Sequence, residues 1–276
     1  VMELDQLSKR LHHRHAERLE FLQQYPKLIE KRDDLVLEEI TLLNQVGKYI
    51  QAKRKLDAHI FHPWEGGEGK VPAQYQICRV EMAKQNIAEG KYKCAVGLLK
   101  QCLTYPHHLG EGKLYGAQEN DFYYLLGVAY DALGKTDEAK ECWEKAVLGP
   151  QEPAAAMYYN DAKPDKIFYQ GMALRKLGRE DEAYGRFYRL INYGKQHVFE
   201  HQTMDYFAVS LPDLLIWDDS LDTKNVIHCK YMLALGYCGM GDMKHALKYL
   251  AEVEALDNNH QGAQQLRSFI ELRLLP

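Results

Sequence analysis

The sequence predicts an all-α fold: about five helix–turn–helix units stacked as a right-handed solenoid, with inserted loops between units and helical caps at the ends. Three observations predict it. A set of small and aromatic residues recurs at a nearly fixed step along the chain. Apolar residues fall at helical spacing through each copy. No β-sandwich pattern of short alternating strands is present.

The clearest unit runs from Asp121 to Pro150 (DFYYLLGVAYDALGKTDEAKECWEKAVLGP). Each marker in it has a mechanical reason. Gly127 and Ala139 are small, so two antiparallel helices can approach closely, and Tyr130 and Trp143 fill the space beside them. Gly134 ends the first helix, where a left-handed residue costs glycine least. Pro150 closes the unit. Leu126-Gly127, Tyr130, Gly134, Ala139, Trp143 and Ala146 resemble the tetratricopeptide consensus at its expected spacings.

The same unit recurs around Gly171, Gly178, Ala183 and Phe187, and around Tyr237, Gly241, Ala246 and Leu250. Two earlier copies carry Gly47-Lys48-Tyr49 with Ala52 and Leu56, and Gly90-Lys91-Tyr92 with Ala95 and Leu99. The marker alanines at 52, 95, 139, 183 and 246 are separated by 43, 44, 44 and 63 residues. The plain repeat has a period of about 34, so each connection carries extra residues: about ten in the first three and about thirty in the last. The expected organisation is an N-terminal helical cap or connector over 1–33, with one or two helices broken near Pro26. A continuous solenoid over 34–276 follows, with its largest insertion at about 193–225. An amphipathic helix over Gln261–Leu275 covers the end.

Composition narrows the function. The net charge is −4 with both signs interleaved, so nucleic acid, which needs a concentrated basic footprint, is not an expected partner. No apolar run reaches the roughly 20 residues that span a bilayer, so no membrane role is expected. The six cysteines form no Cys-x-x-Cys pair and sit in apolar helical patterns, which predicts reduced core thiols and a cytoplasmic setting. A Val before the first Met suggests a piece of a longer protein. The nineteen tyrosines read mainly as packing residues, with Tyr123, Tyr124, Tyr130, Tyr169 and Tyr237 at helical positions.

Function on a rigid repeat concentrates in loops. The first insertion reads His59-Ile60-Phe61-His62-Pro63-Trp64-Glu65-Gly66-Gly67-Glu68-Gly69-Lys70-Val71, and the second runs from Tyr105 to Leu114. Both contain Gly-Glu-Gly-Lys, at 67–70 and 110–113, offset by the same 43 residues as the alanines. Equivalent loops are therefore expected side by side, each just before a helix N-terminus that favours an anion. The candidate ligand- or partner-binding residues are His62, Trp64, Glu65, Glu68, Lys70, Glu111 and Lys113. Lys70 and Lys113 offer charge-assisted contacts, the glutamates bind hydroxyls or cations, and Trp64 offers a face for stacking on a sugar. The plainer alternative is a turn folded on itself, with Glu68 paired to Lys70 and Trp64 plugging the gap between repeats. The spacing is not that of a phosphate-binding Walker loop.

His59, His62 and Glu65 stand three apart, but Pro63 breaks a regular face, so hydrogen-bonding histidines are expected rather than a metal site. In the last insertion, about 193–225 and including Asp205–Asp219, an additional short helix or two is expected. Ser210 lacks a nucleophile elbow, and Asp213, Asp218 and Asp219 read as helix caps and surface acids. No catalytic residue and no cofactor is predicted.

The stretches HIFHPWEGGEGKV, LGEGKLYGAQENDFYYLLG and YFAVSLPDLLIWDDSL resemble the C-terminal helical part of a bacterial family of long proteins. In that family a galactose-mutarotase-like domain of unknown function precedes tetratricopeptide repeats. The resemblance covers about residues 34–255 and implies a C-terminal piece of a larger, carbohydrate-related protein. The expected function is a non-catalytic scaffold that binds a protein or a neighbouring domain of the same chain. The alternative is that the loops complete a sugar site in an attached enzyme domain. Trp64, Glu65, Glu68 and Glu111 lining one open pocket would favour the alternative.

Overall fold

The computed structural model describes residues 1–155, 163–203 and 220–275, and among them every regular element is helical. The chain divides into two compact units. One comprises residues 1–115 with 268–276, and the other comprises 116–267.

The first unit opens with α1 (Met2–Arg10), α2 (His15–Gln23) and the short α3 (Pro26–Ile29). Three helices stand where the sequence suggested one or two. The missed break lies at 11–14, where His12 takes φ 54°, a conformation that no proline or glycine announces. Pro26 starts α3 instead of merely ending α2. Two repeat pairs follow: α4 (Asp33–Gln45) with α5 (Tyr49–Ala58), and α6 (Lys70–Ala88) with α7 (Tyr92–Cys102). A buried ion triad ties the first helices to the first repeat. Arg18 on α2 donates from Nε and a terminal nitrogen to Asp5 on α1 at 3.0 and 2.7 Å, and to Glu38 on α4 at 2.6 Å. The C-terminal segment of this unit is held by Ser268, whose Oγ donates to Glu81 Oε2 on α6 at 2.6 Å.

The second unit holds three more pairs: α8 (Asn120–Ala132) with α9 (Thr136–Val147), α10 (Pro164–Lys176) with α11 (Glu180–His197), and α12 (Leu221–Gly239) with α13 (Met243–Leu256). The last helix, α14 (Gln261–Glu271), ends before the predicted Leu275, with Arg273 at φ 54° just beyond it. The five predicted helix pairs are thus all present.

One turn closes each pair. Gly134 sits at φ 74°, and the next residue, Lys135, donates its backbone N–H to Tyr130 O five residues back at 2.9 Å. This is the Schellman stop, which satisfies a carbonyl the helix would otherwise leave open. The same i→i+5 bond closes the other four pairs, from Lys48 to Leu43, Lys91 to Asn86, Arg179 to Leu174 and Asp242 to Tyr237, at 2.7–2.9 Å. The marker alanines Ala52, Ala95, Ala139, Ala183 and Ala246 are all fully buried. Within the second unit the small residues admit large ones from the facing helix. A Cβ on Gly127 would meet the Trp143 ring at 2.2 Å, and one on Gly171 would meet Phe187 at 2.4 Å.

Much of the predicted insertion is helix. α6, α11 and α12 run to 19, 18 and 19 residues, against 13 in α4, α8 and α10. The extra period therefore lengthens helices as well as loops. Lys70 and Val71 begin α6, and residues 193–197 and 221–225 of the proposed insertion belong to α11 and α12. Ser210, Asp213, Asp218, Asp219 and the helices expected there lie outside the described residues. Tyr124 and Tyr169 are buried as expected, whereas Tyr123, Tyr130 and Tyr237 are only half-buried. Five cysteines are buried free thiols, but Cys94 on α7 is exposed. Among the described residues no helix is long and apolar enough to cross a membrane.

Two substitutions test this packing. Gly127→Ala is expected to destabilise by about 1–2 kcal/mol, because the Trp143 ring must move and this outweighs the gain in helix propensity. Arg18→Ala is expected to cost about 3–5 kcal/mol by leaving Asp5 and Glu38 buried without their cation. Urea unfolding followed by circular dichroism reads both.

Candidate functional site

The first loop leaves α5 at His59 in an extended conformation and lies against the second loop, backbone to backbone. Phe61, 2% exposed, donates its N–H to His108 O at 2.8 Å. Opposite it, Gly110 sits at φ 75°, and a Cβ there would lie 2.6 Å from Phe61 O. Only glycine satisfies both the left-handed backbone and the close approach. Further on, Gly67 donates its N–H to Trp64 O at 3.0 Å and packs directly beneath the indole, where a Cβ would be 2.4 Å from Trp64 Cε2. Gly69, at φ 71°, donates its N–H to Glu111 Oε2 at 2.8 Å. The two Gly-Glu-Gly-Lys segments therefore touch, as their offset suggested.

They are not equivalent, however. The left-handed glycine is the third residue of the first segment (Gly69) and the first residue of the second (Gly110). Lys70 opens α6, whereas Lys113 lies seven residues before α8 begins at Asn120. The expectation of a helix N-terminus behind each loop thus holds only for the first. A 3₁₀ turn at His107–Leu109 shifts the second loop's register, and tetrapeptide identity does not report that shift. The link across the loops is the Glu111 carboxylate, which accepts from the Gly69 N–H. Lys113 Nζ donates to Leu103 O at 3.1 Å.

An acidic residue from the first turn of α4 fixes the start of the first loop. Asp33, the first residue of α4, accepts from the His62 backbone N–H at 2.7 Å, and its carboxylate lies 2.7 Å from His59 Nε2 and 3.1 Å from His62 Nδ1. The imidazoles of His59 and His62 thus converge on one carboxylate as hydrogen-bonding groups. The His59 ring also packs edge-on to Phe61 with centroids 4.6 Å apart. Partial burial works to raise the Asp33 carboxyl, but the hydrogen bonds from His59 and His62 outweigh it and hold the group below the usual range.

The result is a cleft of about 300 Å³ walled by His62, Trp64, Glu65, Glu68 and Glu111, with Gly67, Val71 and Leu109 beneath. Trp64 is half-buried and packs against the core of this unit, so it both plugs the loop and faces the cleft. Glu65 and Glu68 are exposed. Glu111 is pushed above the ordinary carboxylate range, first by burial and further by the neighbouring charge of Glu68, against the pull of the Gly69 N–H. Of the seven candidates, five line this space, while Lys70 and Lys113 are exposed and stand outside its walls. Across the ridge of His62, Pro63 and Trp64 lies a second cleft of about 530 Å³, bordered by residues 30–34, His59 and Ile60.

This geometry belongs to a helical-repeat fold with two clefts beside the loop that follows α5. Residues 121–148, which are α8 and α9, match the family model described as Tetratricopeptide repeat. Repeats of this type generally present extended surfaces to other proteins.

Asp33→Asn is expected to lower stability at neutral pH by about 1–2 kcal/mol, since a charged acceptor of several hydrogen bonds becomes neutral. The folded carboxyl titrates below its unfolded value of about 3.9, so its stabilisation is present above that pH and lost as pH falls through the folded pKa. The gap between wild type and variant should therefore close on acidification below about pH 4. Urea midpoints measured from pH 7 to pH 2 check this. Gly110→Ala should cost at least about 1 kcal/mol from left-handed strain alone, read by the same assay.

Proposed function

We propose that this chain is a non-catalytic scaffold whose repeats bind another protein or a neighbouring domain of its own polypeptide. In this reading the loops at 59–71 and 104–120 add His62, Trp64, Glu65, Glu68 and Glu111 to the contact. The observation that carries it is the run of five helix pairs closed by the same turn, one of which matches the tetratricopeptide model. Such stacks offer grooves suited to extended or helical segments of a partner. An overall charge of −4 with both signs interleaved favours a protein over a nucleic acid, and buried free thiols suit a cytoplasmic setting.

A second reading has one specific observation in its favour. Trp64, Glu65, Glu68 and Glu111 line a single cleft, which combines an aromatic face with carboxylates as sugar sites do. Together with the resemblance of the loop segments to a bacterial, carbohydrate-related family, this supports a role in completing the sugar site of an attached domain.

Photo-crosslinkers placed at Tyr188, which is 55% exposed on α11, and at Trp64 separate the two. Under the scaffold reading both sites in the full-length protein capture the same protein or domain. Failure of the Tyr188 site to capture any protein would remove the scaffold reading. Saturable binding of a neutral monosaccharide, lost in Glu68→Ala, would favour the sugar reading.

A further inference from the structure

We infer that the cleft between the two loops is a socket for one arginine side chain of the bound partner. The inference rests on the scaffold reading above and names the chemistry of the contact. Its first support is shape. The recess of about 300 Å³ lies at the lower end of the range for small-molecule pockets, a size suited to one long side chain. The recess is also preformed, because the Phe61–His108 hydrogen bond, the Gly110 approach and the Glu111–Gly69 bond fix the two loops to each other. A rigid recess needs little ordering when it is filled.

Charge and chemistry then choose the occupant. Three carboxylates line the cleft and no lysine or arginine does, so an acidic or phosphorylated segment is repelled. A compact metal ion fits poorly. Among the described residues no three His, Cys, Asp or Glu side chains come together to hold one. Negative charge spread over a wall suits a cation that is itself spread out. A guanidinium is planar, donates in several directions at once and stacks on an indole, and Trp64 provides that face. Lysine, a strongly hydrated point charge, is the poorer fit to the same walls.

The test uses the whole chain and acetylated, amidated pentapeptides with a central arginine, lysine, glutamine or glutamate between glycines, followed by ¹H–¹⁵N NMR. The arginine peptide is expected to give saturable shifts at the Trp64 indole N–H and the Gly67 and Gly69 amides, with lysine weaker. The glutamine and glutamate peptides should not saturate these signals. Glu65→Gln with Glu68→Gln should weaken the arginine peptide by about fivefold, since two exposed carboxylate contacts are removed. Both residues are exposed, and an unchanged circular dichroism spectrum shows that the fold is kept. Equal affinity for the arginine and glutamine peptides, or full affinity in the double variant, would overturn the socket. Saturation of the same signals by a neutral monosaccharide but by no peptide would overturn it too. If no peptide saturates while the Tyr188 crosslink still captures its partner, the socket falls and the scaffold stands. If the crosslink also fails, both fall.

Discussion

The helix pairs of the second unit depend on backbones approaching closely enough for an aromatic ring to lie over a missing side chain. Trp143 over Gly127 is the plainest case, with the indole Nε1 also donating to Tyr124 O at 3.3 Å. Phe187 does this twice, since a Cβ on either Gly171 of α10 or Gly239 of α12 would strike its ring at 2.4 or 2.2 Å. A single ring thereby fixes the distance from α11 to the helices before and after it. Close packing of this kind has two outcomes, fitting or not, and this makes the pairs rigid supports for whatever their loops present.

The loop cleft of the first unit is built by a different means. There the backbone itself supplies most of the contacts: an amide on a carbonyl, an amide on a carboxylate, and left-handed glycines at 66, 69 and 110. Of the side chains that wall it, Glu65 and Glu68 are exposed, whereas the exposed His62 also bonds Asp33 through its ring. The backbone thus sets most of the cleft's shape, and substitution at Glu65 or Glu68 leaves those bonds in place.

The repeats were legible in the sequence because their rules are local. A left-handed glycine, a small residue and an aromatic at fixed offsets act within some thirty residues, so their spacing survives as a pattern. The Schellman stop at Gly134 and the buried alanines follow from it directly. Asp33 was not legible, since its partners lie 26 and 29 residues away and an acidic residue at a helix start looks like any N-terminal carboxylate. The break at His12 leaves no mark either, because the residues there are ordinary helix surface. In the loops the shared tetrapeptide revealed the neighbourhood of the two segments but not their different registers. Register depends on the 3₁₀ turn before Gly110, and His107-His108-Leu109 carries no strong signal for one.

Amide side chains on α8, α10 and α12 have a consequence for how the chain can be divided. Asn120 Nδ2 donates to Ala146 O and Leu148 O, Gln170 Nε2 to Leu148 O and Pro150 O, and Asn225 Nδ2 to His197 O and Glu200 O. Asn120 serves the end of its own pair, while Gln170 and Asn225 reach back to the end of the pair before. A fragment that stopped at Pro150 would keep the tetratricopeptide-matching helices yet strip their last carbonyls of the Gln170 amide. The natural cut sites of this polypeptide therefore do not coincide with its sequence repeats. The pairs α8–α9 and α10–α11 each take finishing hydrogen bonds from the pair that follows, and either one in isolation would lose them.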